Sequence, residues 1–195
     1  MAWIEWLDSG MAEFAHMLLE TAGGFFTPLL KVITLSGNFG IVFLAISLVL
    51  LVFRNTRKAA FVLLCSMAFA FFLTNLLLKN IVARPRPFVD TESVFYEYWI
   101  QAGSLFENGY SFPSGHTTVA TAFSAGIFFS FPKRYSWISM LIPVVMGFSR
   151  IYFMVHFASD VLGGLLVGII AGLLGLLVMR LLSKNAVFSS LFRVK

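Results

Sequence analysis

Five stretches of mostly apolar residues dominate the sequence: 37–53, 59–79, 114–132, 136–154 and 158–180. Each comes near the ~20 residues that a helix needs to cross the hydrocarbon core of a bilayer. Lipid offers no water to the peptide groups, so a crossing segment must satisfy its backbone as a helix or inside a closed barrel. These stretches lack the two-residue alternation of a barrel strand. Composition agrees, with 59% of the 195 residues hydrophobic and only 12% charged, against about 25% charged in a soluble domain. The expected fold is all-α: a polytopic transmembrane helix bundle of about five spans.

The first 36 residues differ. Glu5, Asp8, Glu13 and Glu20 interrupt the apolar positions, while Trp3, Trp6, Leu7, Phe14, Leu18 and Leu19 are expected to share a face. Residues 2–21 therefore read as a helix lying in the interface, where Trp is favoured. Residues 25–36, with Pro28 and Lys31, read as a second interfacial or partly inserted helix. No basic segment leads into an apolar core with a small-residue cleavage site, so no signal peptide is expected. The lone cysteine, Cys65, has no Cys or His neighbour at ligand spacing and reads as a small buried hydrophobe. Without repeats or low-complexity segments, a single domain is expected. It comprises interfacial helices over 1–36, a bundle over 37–180 and a cytoplasmic tail over 181–195.

The net charge of +5 forms no basic stripe on a polar helix or sheet, which argues against nucleic acid. It reads better as membrane topology. Arg54, Arg57 and Lys58 follow the first span, Lys133 and Arg134 the third, and Arg180, Lys184, Arg193 and Lys195 the fifth. The positive-inside rule places these nine of the 14 basic residues in the cytoplasm. The N-terminus is then outside and the C-terminus inside. Four of the other five, Lys79, Arg84, Arg86 and Arg150, fall on the outer side and need another reason.

Three motifs on that side supply one. Lys79-Asn-Ile-Val-Ala-Arg84-Pro85-Arg86-Pro87 closes the second span, Pro113-Ser114-Gly115-His116 opens the third, and Ser149-Arg150 through His156 to Asp160 joins the fourth to the fifth. A single basic residue at a helix end snorkels to the interface. Three within eight residues, against the charge bias, suit a phosphate clamp in which Arg supplies a bidentate fork. The prolines hold the chain extended as it leaves the helix. Ser114 is placed as an N-cap, and the free N–H groups of the first turn beside Gly115 suit an anion. His116 faces that same terminus. Asp160 follows His156 by four residues, one helical face apart, where a carboxylate can fix the imidazole tautomer and leave the other nitrogen to attack. A purely structural His–Asp pair is the bland alternative, but ionisable groups at membrane depth by default suggest function.

Together the motifs resemble those of the type 2 phosphatidic acid phosphatase family, K-x6-RP, PSGH and SR-x5-H-x3-D, with no departure at any motif position over residues 79–160. The resemblance implies a membrane lipid phosphatase, a hydrolase. In it Lys79, Arg86 and Arg150, with Ser114 and the Gly115 backbone, hold the phosphoryl oxygens. His156 is the nucleophile of a phosphohistidine intermediate, Asp160 orients it, and His116 protonates the leaving oxygen and then activates water. Arg84 lies outside the consensus; it is expected to assist the clamp or reach a second phosphate or headgroup. No metal or other cofactor is implied, the cations standing where magnesium acts in other phosphoryl transfers. The expected partners are the bilayer and a lipid phosphate: undecaprenyl diphosphate first, phosphatidylglycerol phosphate or phosphatidate second. A non-enzymatic lipid translocator on the same fold is expected to lack one of the two histidines. The aromatic 88–112 loop is expected over the site, and His16 is expected at the interface and not in catalysis.

Overall fold

A computed structural model describes residues 2–185; Arg193, Lys195 and most of the 181–195 tail lie outside the described residues. Helix α1 runs Ala2–Ser36, α2 Ile41–Val52 and α3 Arg57–Val82, the last with a π-helical stretch at Phe72–Leu78. Helix α4, Val94–Gln101, lies in the loop after α3. Helix α5 is Gly115–Ser130; α6 is Leu141–Tyr152, preceded by short turns over 133–140; α7 is Ala158–Leu182. No strand occurs among the described residues.

The two expected N-terminal helices form one 35-residue element bent at Ala22 (φ −141°, ψ 22°). The bend precedes Gly23-Gly24 and Pro28, whose missing N–H leaves the ladder weak there. The expected apolar face is also redistributed. Trp3, Trp6 and Phe14 are exposed, Leu7, Leu18 and Leu19 are half-buried, and the buried stripe is Asp8, Ala12 and Ala15. Small residues at 12 and 15 let α1 approach the bundle, and Asp8 is buried because it has partners, described below.

By length and composition α1, α3 and α7 are able to cross a membrane. Helix α2 has only 12 residues, as does α6, and α5 has 16. The first expected span, 37–53, is thus shortened to about 18 Å of helix. Its opening residues are given to a 3₁₀ turn, Asn38–Gly40, ending in left-handed Gly40 (φ 65°). Exposed Leu, Ile, Val and Phe side chains cover the outer faces of α2, α3 and α7, a surface that only a bilayer satisfies over such an area. This is a membrane protein.

Helices α3, α5 and α7 form the inner bundle, with α2 against α3, and α6 between α5 and α1. The α5–α7 seam is set by Gly164, Gly168 and Gly172. A Cβ there would come within 2.9 Å of the Ser114 carbonyl, 2.4 Å of Thr121 Cβ and 2.6 Å of Ala125 Cβ. Without a hydrophobic drive between helices in lipid, such close backbone packing holds the bundle. The hydroxyls of Ser47, Ser66, Thr118 and Thr121 donate to carbonyls four residues back in their own chain, so none is left unsatisfied in the apolar interior. This seam also joins the start of α5 to the start of α7, because the Ser114 N–H donates to the Asp160 carbonyl at 3.0 Å.

Candidate active site

At the end of the bundle where α3 stops and α5 and α7 begin lies a cavity of about 570 Å³. Its polar lining includes Lys79, Arg86, Glu107, Gly115, His116 and His156, with Asn38, Asn75 and Asn108 beside them. Phe71, Phe106 and Val119 supply apolar wall. The three motifs, whose extremes are Lys79 and Asp160, meet here.

Helix α3 ends because Ala83 takes a left-handed backbone (φ 49°), its N–H donating to the Lys79 carbonyl. Lys79 stays on the last turn, and Arg84 to Arg86 leads away from it, with Arg86 extended at φ −78°, ψ 158° before a 3₁₀ turn over Pro87–Val89. Arg86 is buried and aimed by three carbonyls. Its Nε donates to Gly109, Nη1 to Val155 and Nη2 to Asn108, each at 2.9 Å. One further Nη1 hydrogen points at His156 Nε2, 3.3 Å away. Burial lowers the Arg86 pKa, Glu107 raises it and Arg150 lowers it again, to about 10, so it remains charged at neutral pH.

Arg150, wholly buried on the last turn of α6, donates Nη1 to Thr34 Oγ1 on α1 and Nη2 to Glu107 Oε1. Its Nε is buried without a partner. Burial would raise the Glu107 carboxyl, but Arg150 above all, then His116 and Arg86, hold it below its ordinary value. Among the described residues, Glu107 is the one carboxylate lining the cavity with Lys79 and Arg86, and it also holds Arg150 behind the wall.

His156 is not on a helix with Asp160, as the four-residue spacing suggested. It stands in the turn before α7, after Met154 in a left-handed conformation (φ 50°), a backbone that costs a non-glycine residue about 1–2 kcal/mol. Asp160 is in the first turn of α7, where its Oδ2 accepts the Phe157 N–H at 2.9 Å. Proximity survives the changed geometry: His156 Nδ1 lies 3.5 Å from Asp160 Oδ2 and has no other hydrogen-bond partner. This is longer than a good hydrogen bond.

Arg84 corrects a second expectation. It does not line the cavity. Its Nη1 donates to Asp160 Oδ1 and to Ser159 Oγ, both at 2.7 Å, and its Nη2 to Asp8 Oδ2 at 2.8 Å. Asp8 also accepts the Ser159 N–H and hydroxyl at 2.8 Å. Asp8, Arg84 and Asp160 thus form a line of ion pairs behind His156, and the cation serves the histidine's carboxylate instead of a ligand.

Ser114 occupies the N-cap position of α5, but its side chain does not cap; its Oγ accepts the Thr117 hydroxyl at 2.9 Å. Gly115 is open to the cavity, where a Cβ would meet only ordinary contacts with Thr74, Asn75 and Lys79. His116 Nε2 lies within hydrogen-bond distance of Asn38 Oδ1, at 3.0 Å. Gly37 lies against its ring, since a Cβ there would stand 2.8 Å from Cδ2. Of the 88–112 loop, only Phe106, Glu107 and Asn108 reach the cavity. Phe88, Phe95, Tyr96 and Trp99 instead pack into the core beside α1 and the 151–155 turn. His16 stacks on Tyr98 with centroids 3.9 Å apart and pairs with Glu20, away from the cavity.

The sequence and the fold are matched in known proteins. Residues 59–184 match the PAP2 superfamily. The chain belongs to that superfamily. Among PAP2 relatives, undecaprenyl-diphosphatase BcrC of Bacillus subtilis is 34% identical over 131 residues, 66% of this chain and 63% of that one. Phosphatidylglycerophosphatase B of the same organism is 29% identical over 179 residues, 85% of this chain and 71% of that one. The chain spans only about six-tenths of the length of the undecaprenyl-diphosphatases it matches. The crystal structure of Aquifex aeolicus LpxE superposes with a TM-score of 0.68 at 26% identity, covering 84% of this chain and 93% of that one.

Asp8, Thr34, Asn38 and Glu107 were missed by the motif reading. Glu107 carried a faint signal, as an acid in a Gly- and Ser-containing loop between two basic motifs. Thr34 and Asn38 carried none.

Proposed function

We propose that this PAP2 protein is an integral-membrane lipid phosphatase that works through a phosphohistidine, without metal, on the outer face of the cell membrane. The observation that carries the reading is the convergence of Lys79, Arg86, His116 and His156 on one cavity, with Arg150 joined to it through Glu107, in a chain with few other charges.

The chemistry follows from the geometry. The dianionic phosphoryl group enters among the cations, where Arg150 offers its unpartnered Nε and the Nη2 that holds Glu107, Arg86 the side of its Nη2 turned to Glu107, and Lys79 a point charge. His156 keeps its Nδ1 proton toward Asp160, and its Nε2, facing Arg86, attacks phosphorus. The P–O bond breaks as His116, as an imidazolium beside the bound dianion, gives one of its two ring protons to the departing oxygen and becomes neutral. The same imidazole, now basic, takes a proton from water, which hydrolyses the P–N bond and regenerates His156. Preorganised cations stabilise charge on the transferring oxygens throughout, the largest contribution to such catalysis.

Undecaprenyl diphosphate is the first choice of substrate, favoured by the named activity of BcrC; phosphatidylglycerol phosphate is second, favoured by the longer alignment to phosphatidylglycerophosphatase B. The outward orientation rests on the positive-inside distribution of Arg54, Arg57, Lys58, Lys133 and Arg134. The test is phosphate release by purified protein from undecaprenyl diphosphate, phosphatidylglycerol phosphate and phosphatidate in the presence of chelator. Full turnover on at least one lipid is expected. Activity that appears only on adding a divalent ion, or none on any lipid, would overturn the reading.

A further inference from the structure

Glu107 occupies the place an anion needs. Its Oε1 accepts from Arg150 Nη2 and its Oε2 lies 3.8 Å from Arg86 Nη2. Both arginine side chains are buried, while Glu107 retains 24% exposure toward the cavity. A carboxylate presents two oxygens to guanidinium groups much as a phosphoryl group does. The two ligands cannot share these donors, since like charges in contact repel by several kcal/mol even at moderate dielectric.

Glu107 is poorly placed to be a support for the clamp. Arg86 is already aimed by the carbonyls of Gly109, Val155 and Asn108, and Arg150 is held by Thr34 and its own burial. A supporting carboxylate would approach from behind, as Asp8 approaches Arg84. Glu107 comes from the cavity side, which His116, His156 and Lys79 also face. It also leaves the clamp imperfectly filled: the Arg86 contact is long, and Arg150 Nε has no partner. The carboxylate lies in a non-helical segment with left-handed residues at Gly103 (φ 99°), Ser104 (φ 54°) and Gly109 (φ 73°), and its neighbours Phe106 and Asn108 are exposed.

We propose that Glu107 is a built-in occupant of the phosphoryl site: its carboxylate fills the clamp between substrates, swings out when a phosphoryl group enters, and returns to displace the phosphate product. The proposal rests on the phosphatase reading. It answers a difficulty that reading creates, because the buried Arg86 and Arg150 and the half-buried Lys79 would otherwise hold inorganic phosphate after each turnover. No covalent step is involved; one anion exchanges for another.

Competition from within lowers apparent affinity by the fraction of time the site stands open. A carboxylate in place about nine-tenths of the time weakens binding about tenfold. The probes are inorganic phosphate and orthovanadate as inhibitors of nitrophenyl phosphate hydrolysis by the purified protein. Glu107→Gln keeps the shape and removes the charge. Inhibition by both oxyanions should tighten about tenfold, with a lower KM and with product release slowing turnover. A supporting role predicts the opposite sign, weaker inhibition as Arg150 loses its partner. Unchanged or weaker inhibition in Glu107→Gln overturns the proposal. If that variant does not fold, Glu107→Asp, which keeps the charge at shorter reach, carries the same test: tighter inhibition than wild type supports the proposal, and equal or weaker inhibition overturns it. Wild-type protein that hydrolyses no phosphate ester removes the phosphatase reading and this proposal with it. Normal wild-type hydrolysis and inhibition without tightening in the variant removes this proposal alone.

Discussion

His156 stands between two charged networks that are built to opposite plans. Behind it, two carboxylates, Asp8 and Asp160, share one guanidinium, Arg84, and each carboxylate oxygen has a partner within 3 Å. In front of it, Lys79, Arg86 and Arg150 face a single carboxylate, Glu107, leaving an excess of two positive charges, a contact as long as 3.8 Å and an unpartnered Arg150 Nε. The rear network is complete as it stands. The front one is complete only with a further anion of charge two, which is what a phosphate monoester or a terminal diphosphate group brings. Buried ion pairs of the first kind contribute position more than stability, since desolvation offsets most of their attraction. Those of the second kind hold binding energy in reserve for a ligand.

The comparison breaks most decisively at the residue between the networks. His156→Ala should abolish phosphate transfer to the protein, even from nitrophenyl phosphate, because the proposed nucleophile is gone. His116→Ala should keep the first half-reaction on that good leaving group and accumulate a phosphoenzyme, because only the proton donor and the activator of water are lost. Rapid quenching with labelled substrate under alkaline conditions separates them. Label in His156→Ala and none in His116→Ala would exchange the two roles.

Next comes the front network. Arg86→Lys keeps the charge but loses the fork and the three carbonyl contacts that aim it, so turnover should fall about 10²–10³-fold, as when a transition-state donor is removed. Near-normal turnover would mean that the phosphoryl group binds elsewhere.

A smaller effect is expected behind the histidine, and of a different kind. Arg84→Lys cannot bridge Asp8 and Asp160 together, and Asp8→Asn weakens the pull that positions Arg84. Both should lower kcat, by about 10- to 100-fold for Arg84→Lys and less for Asp8→Asn, through misplacement of His156. Inhibition by vanadate should stay within about twofold, because the clamp is untouched; a tenfold loss of vanadate affinity would show that the two networks are one. Smallest is Gly37→Ala, whose added Cβ would press on His116 Cδ2 and on Met146, both side chains able to shift. A loss of at most about tenfold is expected on lipid substrate, largely relieved on nitrophenyl phosphate, since only proton donation is disturbed.

Lys79, Arg86, Gly115, His116 and His156 were legible as candidates because each lies at a helix end, and spans that start and stop at one membrane face bring their ends together. The same reasoning misjudged Arg84, since sequence shows a third cation beside two others but not the carboxylates that claim it. It misjudged the His156–Asp160 geometry because the left-handed turn at Met154 carries no glycine to announce it. The buried face of α1 was hidden for a related reason: a lone Asp8 among apolar residues reads as solvent-facing until its partner, Ser159, is seen 151 residues away.

The sequence by itself determined that this chain is a helical membrane protein and which motif residues gather at one end of it. Hydrocarbon forces each long apolar run into a helix of known rise, and burying charge in such a chain is costly enough that every intramembrane cation needs a reason. Only the tertiary structure decided which charges face a ligand and which face each other. Asp8, Thr34, Asn38 and Glu107 act on the site through one to three contacts each, a few ångströms long and made across scores of residues. Such contacts depend on how α1 and the 102–113 loop pack against the bundle, and nothing local in the sequence encodes them.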